Sequence, residues 1–134
     1  MTTNLYKIYT TDTAVKDSID RMVENLKEKN VPVFARIDYA KASELAGLSL
    51  FDEELIIFGD IKMGNILVKE NPLFGIDIPL KILAWREKDK TKVAHYNMEL
   101  LAKQLNMHKS KEVIKNLDEF LRNLVTSSVK VTEI

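Results

Sequence analysis

At 134 residues, with 46% hydrophobic and 30% charged side chains, the chain has the make-up of one globular domain. Its 20 basic residues balance its 20 acidic ones, which argues against a duplex-nucleic-acid binder, whose affinity rests on neutralising phosphates. There is no cysteine, so disulfides, thiolate metal sites and thiol nucleophiles are excluded together. No apolar run reaches the roughly 18–20 residues that a membrane span needs, and the first residues carry no basic-then-apolar leader. The expectation is a single cytoplasmic domain over 1–134, with neither a nucleic-acid nor a membrane partner.

Residues 5–10 read as a first strand, with Tyr6 and Ile8 on one face and Lys7 and Tyr9 on the other. A helix follows, because Val15, Ile19, Met22, Val23 and Leu26 fall on one helical stripe. Asp12 or Thr13 is placed to cap its start, and Asn30 to take the left-handed position after its end. Residues 31–37 return as a second strand, with Pro32 near its start. Asp38 then caps a short alanine-rich helix over 40–46, stopped by Gly47. The third strand spans 54–59, and Leu55, Ile56, Ile57 and Phe58 predict burial on both its faces.

Residues 59–79 are too long for a tight hairpin, and hold a short helix starting near Asn65 and ending before Asn71-Pro72. Strands at 80–87 and 91–96 are joined by a charged turn, Lys88-Asp89-Lys90. Asn97 caps the next helix, with Leu101 and Leu105 on its inner face. After a break at 106–109, Ser110 caps a long helix whose Val113, Ile114, Leu117, Phe120, Leu121, Leu124 and Val125 form a broad apolar stripe. Residues 129–134 are polar and read either as a frayed end or as a short edge strand. Late strands linked by a hairpin, with helices before and after, predict an α+β domain: a five-stranded antiparallel sheet with the helices on one face.

The candidate chemistry gathers at strand ends. Gly59 and Gly64, with Lys62 between them, are spaced for a backbone anion cradle at a helix start. Asn65-Ile66 stands where a nucleoside-triphosphate loop needs Lys-Ser/Thr, so that reading is rejected. Leu73 to Ile76 is an apolar run in a loop, a candidate self-association surface. Asp77 precedes Pro79 and is expected mainly to accept turn N–H bonds. His95 lies on the last strand near Asn97 and is expected to be a hydrogen-bonded histidine at a sheet end, with a general-base role as the alternative. His108 offers it no ligand-spaced partner, and neither a metal nor another cofactor is expected.

Several segments resemble the domain of unknown function 302 family. They are Ile37-Asp38-Tyr39-Ala40-Lys41-Ala42-Ser43-Glu44-Leu45-Ala46-Gly47, Phe58-Gly59 through Lys62 to Gly64, Asn71-Pro72 through Asp77-Ile78-Pro79-Leu80-Lys81 to Trp85, and Tyr96-Asn97. The resemblance runs from about Val15 to Leu105. It implies a TATA-box-binding-protein-like fold in β-α-β(4)-α order, a bacterial or archaeal cytosolic setting, self-association and no settled activity. DNA binding does not travel with a fold label. The family's usual histidine after Ile-Asp is Tyr39 here, its Asn-Pro after Phe-Gly is Asp60-Ile61, and its proline after Tyr-Asn is Met98. A tyrosine, with a pKa near 10, is a poor base at neutral pH.

The leading expectation is a homodimeric regulatory domain that binds a small ligand or anion through Asp38, Tyr39, Gly59, Lys62, Gly64, Asp77, His95 and Asn97. One alternative is a small enzyme using His95 as acid/base with Tyr39 or Asp77. The other is a structural interaction module working through Leu73–Ile76.

Overall fold

The structure, a computed structural model, describes residues 4–133. Residues 1–3 of the expected leaderless start, and Ile134 of the expected terminal segment, lie outside them. In chain order the elements are β1 (Tyr6–Thr11), α1 (Val15–Glu28), β2 (Val33–Asp38), α2 (Tyr39–Leu45), β3 (Glu53–Phe58), α3 (Ile61–Glu70), a 3-10 helix (Pro72–Ile76), β4 (Leu80–Glu87), β5 (Lys90–Tyr96), α4 (Met98–Gln104), α5 (Lys111–Ser128) and β6 (Thr132–Glu133). The strands form one antiparallel sheet in the order β2-β3-β4-β5-β1-β6. The α+β class stands, but the sheet has six strands rather than five. The sixth, β6, adds to the edge of β1 through Tyr9↔Glu133 and Thr10↔Thr132. Two polar residues carry no periodicity, so the pattern could not separate this strand from a frayed end.

The apolar stripes of α1 and α5 meet the sheet as their spacing predicts. Ile19, Met22 and Leu26 of α1 and Leu121, Leu124 and Val125 of α5 share one core with Tyr9, Ile56, Phe58, Ile82, Ala84 and Val93 of the strands. All these strand residues lie on the same face, so the helices cover that face. The opposite face of β3 is not buried as expected: Leu55 and Ile57 remain half-exposed. In register with Leu55 stand Leu83 of β4 and, beyond it, Ala94 of β5, while Ile57 pairs with Lys81 and Trp85 with Glu53; Leu55, Leu83 and Ala94 give the open face an apolar band.

Turns and caps follow the sequence where they are local. Asn30 and Gly47 take positive φ (57° and 78°), ending α1 and α2, and Asp38 accepts from Lys41 N at 2.9 Å. Where caps are not local, the sequence misleads. Helix α1 starts after Ala14 with no side-chain cap; Asp12 is drawn away to Lys90, and Thr13 serves the turn through its backbone. Ser110 does not cap α5 either. Its hydroxyl donates to Glu70 Oε1 (2.6 Å), whose other oxygen accepts from His108 N and Lys109 N (2.7 and 3.0 Å). Asp118 likewise reaches from α5 to the first amides of α4, Met98 N and Glu99 N, at 2.7 and 3.0 Å. These long-range caps lock α3 to α5 and α5 to α4.

Candidate functional site

The antiparallel register divides the expected site. Asp38 pairs with Glu54 at one end of β3, while Gly59 follows Phe58 at the other. That separation is about 17 Å along the strand. Asp38 and Tyr39 therefore lie at the opposite end of the sheet from Gly59, Lys62, Gly64, Asp77, His95 and Asn97. Asp38 is occupied as the cap of α2, and Asn97 as the cap of α4, accepting from Leu100 N at 3.2 Å.

Gly59 to Gly64 is not an anion loop. Helix α3 begins at Ile61 rather than near Asn65, so Lys62 and Gly64 are helical residues. The cap is Asp60, whose carboxylate accepts from Lys62 N at 2.8 Å. The chain thus places its own negative charge where an anion would have to sit, which works against the cradle. What α3 forms instead is an apolar cavity of about 390 Å³ between itself, the 3-10 helix and the ends of β2 and β4. Met63, Leu67 and Val68 wall it on one side, Ile78, Pro79 and Leu117 on others, and Asp60 and Asn65 bring the polar side chains. Gly64 keeps α3 close to Ile78, since a Cβ there would sit 3.2 Å from Ile78 Cδ1. A cis peptide bond precedes Pro79 and turns the chain back into β4.

His95 faces the helices from β5 and is only 4% exposed. Its Nδ1 lies 2.8 Å from the Tyr96 carbonyl, which can only accept, so Nδ1 carries the proton. Nε2 is then the acceptor and takes the hydroxyl of Tyr9 at 2.9 Å. Burial lowers the histidine's pKa, against a smaller opposing effect of the Tyr96 carbonyl, and burial pushes Tyr9 up to about 12, helped by Glu133. Both groups are neutral at pH 7. Both ring nitrogens are engaged, as expected of a hydrogen-bonded histidine. The pair floors a small cavity of about 120 Å³ beside Asp118, Glu119 and Arg122.

Asp77 accepts from the Tyr96 hydroxyl at 3.1 Å, not from turn amides as expected. Burial, and secondarily Asp77, raises the Tyr96 pKa. Tyr96 follows His95 on the strand and points to the opposite face, so Asp77 and His95 are separated by the sheet. Tyr39 is at the far end. The acid/base pairings considered from sequence are not brought together. Among the described residues no group of three or more His, Cys, Asp or Glu side chains is set to hold a metal. Tyr9, Tyr96 and the cavity wall at Met63 and Leu117 were not foreseen; their partners lie far away in sequence, and only the apolar face of α3 hinted at the cavity.

The family model for the domain of unknown function DUF302 matches residues 7–127. The chain belongs to this family. An uncharacterized conserved DUF302 protein from Bacillus stearothermophilus, known from a crystal structure, superposes with a TM-score of 0.82. It covers 94% of this chain and 99% of its own, at 18% identity, so the likeness is one of fold. Curated relatives of the DUF302 chain include fluoride-specific ion channel FluC 1 of Brucella suis biovar 1 and fluoride-specific ion channel FluC 2 of Brucella melitensis biotype 1. Each is 35% identical over 74 residues, 55% of this chain. The chain covers only 29% and 27% of the length of those proteins.

Proposed function

We propose that this DUF302 domain is a non-enzymatic, regulatory binding module whose ligand is a small apolar molecule with one polar end, held beneath α3. The observation that carries the reading is the cavity of about 390 Å³, within the range of small-molecule sites and lined as such sites are. Its apolar walls take the body of the ligand, and Asp60 or Asn65 at the rim accepts or donates to its head. The expected anion gives way to this class because the Asp60 carboxylate already fills the helix start.

The curated relatives favour an accessory role over catalysis. An ion channel crosses a membrane, and no helix among the described residues is long and apolar enough to do so. In this proposal the stretch shared with those channels is an added domain rather than their membrane-spanning part.

Titration with 1-decanol, an uncharged apolar chain with one hydroxyl, tests the reading. We expect saturable one-to-one binding by calorimetry, a raised melting temperature and loss of both in Val68→Phe, which fills the cavity. No binding by the wild-type protein, or equal binding by a folded Val68→Phe, overturns it.

A further inference from the structure

Helices α4 and α5 do not close on each other at the end where the chain passes from one to the other. A cavity of about 450 Å³ opens there, within the range of small-molecule sites. Its floor is apolar: Ala102 of α4, Met107 of the connection and Ile114 of α5, each less than a tenth exposed. Its rim is charged. Lys103 stands in the last turn of α4, His108 in the connection, and Lys111 and Lys115 one helical turn apart on α5. The walls are held from elsewhere in the fold. Asp118 caps the start of α4, and Glu70 binds the amides of His108 and Lys109, so the cavity is formed in advance of any ligand.

The chain as a whole is neutral, but residues 103–115 hold four lysines and one glutamate. Three of those lysines line the cavity with two glutamates, Glu99 and Glu112, which leaves one positive charge over. Glu99 lies 3.6 Å from Lys103, and both side chains are more than two-thirds exposed, so water competes freely with their pairing. His108, Lys111 and Lys115 are in no ion pair among the described residues. Their charge is unspent, above a floor that can take an apolar body. The amides before α5 add nothing, because the Glu70 carboxylate already occupies them.

We propose that the groove between α4 and α5 binds a small organic monoanion. Its apolar body lies on Ala102, Met107 and Ile114, and its acid group sits among His108, Lys111 and Lys115. The inference is independent of the cavity beneath α3, whose rim offers Asp60 and Asn65 but no cation. A monoanion fits better than a polyphosphate, because the two glutamates repel further negative charge. A small molecule fits better than an acidic protein, because nine residues line the groove, whereas a standard protein interface takes about 20–30 a side.

Calorimetry on the whole chain with naphthalene-2-sulfonate, a flat apolar body with one permanent charge, tests the proposal. We expect saturable one-to-one binding that weakens as salt is added, with NMR shifts at the amides of Met107, His108 and Ile114. Naphthalene-2-sulfonamide lacks the charge and methanesulfonate lacks the body; each should bind at least about tenfold more weakly. Lys111→Gln/Lys115→Gln should also lose about tenfold or more, with an unchanged circular-dichroism spectrum because both side chains are exposed. Glu112→Gln should tighten binding, and Val68→Phe, which fills the other cavity, should leave it unchanged. A wild type that does not bind the probe, including one that takes only an acidic peptide, overturns the proposal. So does binding that ignores Lys111→Gln/Lys115→Gln, or that is lost in Val68→Phe, which would place the probe beneath α3.

Discussion

The Tyr9 hydroxyl donates to His95 Nε2 at 2.9 Å, tying β1 to β5 beneath α5. Because the other ring nitrogen is held by the Tyr96 carbonyl, the histidine is fixed in one tautomer and resists protonation. Its depressed pKa sets the sign of a pH effect. The unfolded chain binds a proton near the ordinary histidine value of 6.5 while the fold does not, so stability is full above that value and falls as the pH drops through the folded pKa. Tyr9 supplies the opposite limb: the unfolded chain ionises near 10 and the fold near 12, so stability declines as the pH rises between them. Urea denaturation between about pH 7.5 and pH 5 should show the acid limb in the wild type, and His95→Phe should flatten it. Tyr9→Phe, which strands a buried ring nitrogen, should cost about 1–3 kcal/mol, and the Tyr9→Phe/His95→Phe pair less than the sum of the singles.

Glu70 gives the second acid-sensitive contact. Its carboxylate is held down to about 2 by the Lys109 amide first and then the Ser110 hydroxyl. A depressed carboxyl stabilises the fold above its ordinary value of 4.5, and that stability is lost as the pH falls toward 2. Glu70→Gln should lower the melting temperature at pH 7 and reduce the further loss on acidification. Hydrogen exchange locates the effect: amides of His108, Lys109 and the first turn of α5 should lose protection while those of α1 do not.

The sequence made these elements visible to different degrees, and the differences have physical causes. The stripes of α1 and α5 were readable because a helix repeats its face every three to four residues, and both lie on the core as expected. The Asp38 cap and the Gly47 stop were readable because they act within a few residues. The glycines on either side of Asp60 suggest a loop and hide it as the cap of α3, whereas Gly64 lies inside the helix. The caps from Glu70 and Asp118 cross 38 to 40 and 19 to 20 residues of sequence, beyond any local pattern. The expected site failed on strand direction. Asp38 and His95 both sit at a strand end, but pairing register decides which end, and no composition signal carries that.

Gly64 isolates the cavity from the stability of α3. Inside a helix, alanine is favoured over glycine by about 1 kcal/mol. The added methyl would meet Ile78 Cδ1 at 3.2 Å, and that is the free end of a flexible side chain, which must retreat by a few tenths of an ångström. Gly64→Ala should therefore fold with unchanged or slightly raised stability, by at most about 1 kcal/mol, while weakening decanol binding. Thermal denaturation with and without decanol separates the effects. A variant that loses stability outright would mean that Ile78 cannot move.

Adjacent residues of β3 distinguish the two faces of the sheet. Ile56 is fully buried under the helices, while Ile57, its neighbour, is half-exposed on the open face. Ile56→Ala removes packed methyl and methylene groups from a closed core and should cost about 2–5 kcal/mol at any protein concentration. Ile57→Ala in a lone chain loses only partly buried surface and should cost below about 1.5 kcal/mol. If a second copy covers the face, the effect of Ile57→Ala grows with protein concentration, because the substitution then weakens an association that stabilises the fold by mass action. Urea denaturation of both variants at low and high protein concentration reads the difference directly. A concentration-independent effect of Ile57→Ala, beside a large one of Ile56→Ala, would leave the open face as solvent-facing surface in the working protein.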